Sequence, residues 1–135
     1  MLEVYKCVIL IIMEQFNTLV AEASHILDIV ENYQWELGRI ANEVVTDFGY
    51  RALTDFSKQI ESTGGVRRSA GTLRMYAYVW KIANQLNLPK DILFSACQNI
   101  VFSNDPKKYA EMVKNGASGT DVRKAIYNDK YVNKE

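Results

Sequence analysis

The sequence predicts an all-α protein of six to seven helices, and three observations predict it. Apolar residues recur at spacings of three and four along most of the chain, the period of a helix with one buried face. Glycine and proline are scarce, seven and two in 135 residues, whereas a sandwich or barrel needs turn residues roughly every 8 to 12 positions. Helix-start signals stand where the later periodic stretches begin, at Asp105-Pro106 and at Ser118 with Asp121. The length fits one domain spanning 1–135, because two separate cores would each be marginally small. With 48% hydrophobic and 24% charged residues, the chain is too apolar for disorder and too charged for a membrane bundle.

Taken in order, the first element is the apolar run Val4 to Met13. It is rich in β-branched residues and admits three readings: a short N-terminal strand, an extension of the first helix, or a segment packed on a second copy. Between Glu14 and Val30, Phe16, Leu19, Val20, Ala23, Leu27 and Val30 form a helical stripe. Asn32 can cap a second helix from about Gln34 to Phe48, stopped by Gly49. Leu53, Phe56 and Ile60 mark a third, which ends at Ser62-Thr63-Gly64-Gly65. A fourth runs through about Leu86. A fifth opens at Pro89 with Ile92, Leu93, Ala96, Cys97 and Ile100 inward. The sixth spans Pro106 to Asn115, and the seventh carries Val122, Ala125 and Ile126.

Charge is divided unevenly. Residues 1–65 hold four Lys/Arg against ten acids, a net of −6, and residues 66–135 hold twelve against six, a net of +6. Such asymmetry points to an acidic half serving core and self-association and a basic half facing a polyanion. Other functions lose support. The two cysteines lie ninety positions apart, which argues against a disulfide framework or zinc site. A single histidine, His25, leaves no pair of imidazoles for a hydrolytic triad. Neither a P-loop nor a GxGxxG loop is present to cradle a nucleotide. We therefore expect no enzyme, no cofactor, no metal and no small-molecule substrate. The N-terminal run is shorter than the roughly 20 residues that span a bilayer, and no small-residue cleavage site follows it. The expectation is an intracellular, cytoplasmic protein with no membrane partner.

The most informative constellation follows the Ser-Thr-Gly-Gly break. Arg67, Arg68, Ser69 and Thr72 form a basic, hydroxyl-bearing approach to the fourth helix, where free N–H groups and the helix dipole favour phosphate. At 100° per residue, Leu73, Met75, Tyr76, Val79, Trp80, Ile82, Ala83 and Leu86 fall on one side, and Arg74, Tyr78, Lys81 and Gln85 on the other. Arginine can read guanine, glutamine can pair with adenine, and tyrosine can bond phosphate or stack. The bland alternative is a solvated face of an amphipathic helix. Lys107, Lys108, Arg123 and Lys124, with Lys114 and Lys130, offer neutralisation of a nucleic-acid backbone; their alternative is a charged, solubilising hairpin. His25 with Asp28, and Glu31, Glu36 and Glu43, read as solvated helix positions. Trp35, Trp80 and Cys97 read as core.

The order Trp35-Glu36-Leu37-Gly38, Phe48-Gly49-Tyr50, Leu53, Thr72-Leu73-Arg74-Met75-Tyr76, Asp105 and Gly116-Ala-Ser-Gly-Thr-Asp-Val-Arg-Lys-Ala-Ile resembles two helical DNA-binding regions. One is the central helix-turn-helix region of ParB-type partition proteins; the other is the helical N-terminal domain of certain predicted nucleases. The resemblance covers most of residues 33–129. It implies DNA binding through a helix-turn-helix-like unit, without nucleotide or DNA hydrolysis, since no Arg-rich nucleotide motif and no nuclease domain accompany it. The expected partners are double-stranded DNA and a second copy in a homodimer. The expected role is a transcriptional regulator or a partition-type factor. A helical adaptor docking an acidic protein is the alternative.

Overall fold

The structure is a computed structural model and describes residues 2–66, 68–89 and 91–132. Among them are six α-helices and no strand. They are α1 (Leu2–Phe48), α2 (Ala52–Ser62), α3 (Ala70–Gln85), α4 (Phe94–Val101), α5 (Pro106–Lys114) and α6 (Gly119–Tyr127), with a π-helical turn at Asn128–Val132.

The N-terminal run is helix from Leu2, not strand, and no break occurs at Asn32. The reason is local. No glycine or proline interrupts positions 2–37, and among the described residues no strand exists to pair with a β-branched run. The expected first and second helices are therefore one element of 47 residues. It ends where expected, at Gly49, whose φ of +88° suits a residue without a Cβ. By length and composition α1 is long and apolar enough to cross a membrane. That corrects the reading of an isolated short run, because Phe16, Leu19 and Val20 extend the apolar stretch beyond Met13.

The chain divides into two units, Met1–Tyr33 and Gln34–Glu135. In the first, every described residue from Leu2 to Val30 is exposed. The second holds three apolar clusters. Ala41 packs with Leu53, Leu73 and Ala77; Val79 and Ala83 with Phe94, Cys97 and Val101; Ile100 with Tyr109 and Val122. The core thus draws on both the acidic and the basic stretches, and the split at 65/66 is one of charge alone.

Helix α3 is positioned by close approach. A Cβ built on buried Gly38 would lie 2.7 Å from the Tyr76 carbonyl oxygen and 3.2 Å from Trp80 Cβ, so the α1 and α3 backbones meet where only glycine fits. Beside this crossing Phe94 makes T-shaped contacts with two rings, Trp35 and Tyr76, each with its centroid 5.1 Å away. The Ser57 hydroxyl, buried on α2, donates to the Arg68 carbonyl and ties the connection between α2 and α3 to the core.

Helix α4 begins at Phe94 rather than at Pro89, whose carbonyl instead accepts a turn bond from Ile92 N–H at 3.2 Å. The inward face is accordingly Phe94, Cys97, Ile100 and Val101, and Leu93, expected inside, is 57% exposed. The last two helices start as their signals predict. Asp105 accepts from Lys108 N–H with Pro106 in the first turn, and Ser118 and Asp121 form a reciprocal capping box.

Candidate nucleic-acid interface

Ser69 caps α3: its hydroxyl oxygen accepts from Thr72 N–H at 3.1 Å and lies 3.0 Å from the Thr72 hydroxyl. Both hydroxyls are thereby turned toward the first turn of the helix. Four residues of α3, Arg74, Tyr78, Lys81 and Gln85, are exposed, while Leu73, Ala77, Val79 and Ala83 are buried. The outward row expected from periodicity is therefore present as a row. Among the others, Arg68 and Thr72 are half-buried, Ser69, Lys107, Lys108, Arg123 and Lys124 are exposed, and Arg67 lies outside the described residues.

Two aromatic side chains join the row. The Arg74 guanidinium sits 5.7 Å from the centroid of the Tyr50 ring, a cation–π distance. Tyr78 stacks on Phe102, with centroids 5.7 Å apart and planes 28° from parallel. Tyr50, Gly71, Arg74, Met75, Tyr78 and Phe102 line an open groove. Phe102 also borders a second hollow of about 390 Å³, walled by Gln98, Asn99, Asn104, Arg123 and Lys130 among others. One exposed ring thus links the outer row of α3 to cations of the C-terminal helices, which sequence separation alone does not show.

Neither Tyr50 nor Phe102 is singled out by sequence reasoning as a site residue. The available signal is positional: each is a large ring just beyond the end of a helix, where no apolar stripe claims it. The cations also differ in their freedom. The Lys108 ammonium is 2.7 Å from Asp129, which holds its pKa above the ordinary value. Tyr109 donates to the same carboxylate at 2.5 Å, and burial, reinforced by that acid, pushes its phenol up to about 12. The Asp121 carboxylate, held by Ser118, stays below its usual range. Among the described residues no group of three or more His, Cys, Asp or Glu side chains could hold a metal ion.

What the arrangement can do is present arginine, lysine and amide donors beside stacking surfaces, a chemistry suited to phosphate and base edges. No protein family, curated protein or solved structure matches the chain.

Proposed function

We propose that the protein binds double-stranded DNA without catalysis, as a homodimer, in the role of a transcriptional regulator or partition-type factor. The observation that carries this reading is the exposed Arg74–Tyr78–Lys81–Gln85 row on α3, with the Tyr78–Phe102 stack beside it. A helix of this kind fits the major groove, where Arg74 and Gln85 suit guanine and adenine edges. Lys81, Lys107, Arg123 and Lys124 suit phosphates. The resemblance to the helical regions of partition proteins points the same way. A specific feature favours a second reading, an adaptor for an acidic protein segment: the groove beside Arg74 is walled by the rings of Tyr50, Tyr78 and Phe102, which would also take apolar side chains.

A gel shift with random duplex separates the two. With roughly four phosphates neutralised, the slope of log affinity on log salt is about −3.6, so affinity falls about 150-fold between roughly 50 and 200 mM salt. Arg74→Ala with Lys81→Ala should weaken the shift and leave the thermal melt unchanged. No retardation of DNA at low salt excludes the DNA reading and favours the adaptor.

A further inference from the structure

The longest unsatisfied surface lies on the first unit. Met13, Phe16, Val20, Ala23, Leu27 and Val30 are spaced 3, 4, 3, 4 and 3 apart, the a and d positions of a heptad repeat. Leu19 and Ile26 widen this seam on one side. None of these residues is covered: Phe16 is 65% and Leu27 63% exposed. Exposed apolar surface on this scale marks an interaction site.

We infer that residues 13–30 form the self-association surface of this protein, covered by the same segment of a second copy. Three observations select that occupant. First, the acids Glu14, Glu22 and Asp28 fall on the side of the helix opposite the seam, and the residues flanking it (Asn17, Leu19, Ser24, Ile26) are uncharged. Two copies can therefore meet without placing like charges together. Second, no lysine or arginine occurs between Lys6 and Arg39, whereas helices that lie on anionic membrane surfaces carry cations on their polar face. Third, seven large side chains at on the order of 100 Å² each offer about 700 Å² per copy, close to the roughly 800 Å² a side of a standard protein interface. The same register read on to Leu37, Ala41 and Val44 is packed against Leu53 and Leu73 of neighbouring helices, so this repeat already takes helical partners within the chain.

This surface supplies the homodimer of the preceding reading and does not depend on DNA binding. The test is the mass of the full chain by sedimentation across the micromolar range. The unaltered protein should sediment as two or more copies. Phe16→Glu with Leu27→Glu should sediment as one, with the thermal melt of the remainder unchanged, whereas Glu22→Lys on the opposite side should still associate. A monomeric unaltered chain overturns the inference, as does association indifferent to the double substitution. A monomer that floats with phosphatidylcholine vesicles also overturns it, in favour of the bilayer. A monomer that still retards DNA removes this inference alone, and an associated chain that retards none removes the DNA reading alone.

Discussion

Gly38→Ala sets two effects of opposite sign against each other. Replacing a mid-helix glycine ordinarily stabilises by about 0.5–1 kcal/mol, because glycine loses more backbone freedom on folding. Here the new methyl would lie 2.7 Å from the Tyr76 carbonyl oxygen, a backbone atom that cannot rotate aside. The α1 and α3 backbones must separate, and such overpacking costs about 1–3 kcal/mol. The short contact places the cost toward the upper end, so the net is destabilisation by about 1–2 kcal/mol. For a cooperative unit near 100 residues, that lowers Tm by roughly 5–15 °C. Gly71→Ala is the internal control: it lies in the first turn of α3, and its Cβ would meet only the Ser69 hydroxyl, at 3.9 Å. It should raise Tm by a few degrees, about 0.5 kcal/mol. Melts followed by circular dichroism decide the matter. If Gly38→Ala melts at or above the unaltered protein, the close crossing that orients α3 is not there.

Two further predictions follow from the electrostatics. Asp121 has a carboxylate lowered from its ordinary 3.8 by the Ser118 N–H and hydroxyl; a pKa depressed on folding gives stability that is complete above about pH 4 and lost as pH falls through the lowered value. Asp121→Asn should therefore shrink the drop in Tm between roughly pH 5 and pH 2.5, and an undiminished drop would place the acid sensitivity elsewhere. Because Lys108 is held by Asp129 at 2.7 Å, Lys108→Ala should change the salt slope of DNA binding little, whereas Arg123→Ala, on the rim of the hollow beside Phe102, should reduce it by about one. Equal effects from the two would contradict that ordering of free and committed cations.

What was legible in the sequence was what one element decides by itself. The caps at Asp105 and Ser118 need only four successive residues, and the outer row of α3 needs only its own periodicity. The misreadings share a different cause. Asn32 resembles a cap, yet a cap acts only where helix is interrupted, and nothing between positions 2 and 37 interrupts it. Pro89 resembles a first-turn proline, but its carbonyl closes a turn with Ile92, and the shift in helix start moves Leu93 out and Phe94 in. Phe94 then becomes the ring against which Trp35 and Tyr76 pack, so a displacement of a few residues in one boundary changes which side chain organises the core.

Charge taught the same lesson at longer range. Counting along the chain treats every cation of residues 66–135 as available to a polyanion, but Lys108 is committed to an acid 21 positions later and Arg68, in the connection to α3, is half-buried. On the DNA reading proposed above, the cations open to phosphate are fewer than the +6 balance suggests. Tyr50, Tyr78 and Phe102 derive from three separate parts of the chain and meet only because α3 crosses α1 at Gly38 and packs on α4. A face built this way has its cations few and its aromatic surfaces fixed. Any DNA binding by it should therefore lose affinity with salt less steeply than a basic patch of the same formal charge, since fewer phosphates are neutralised.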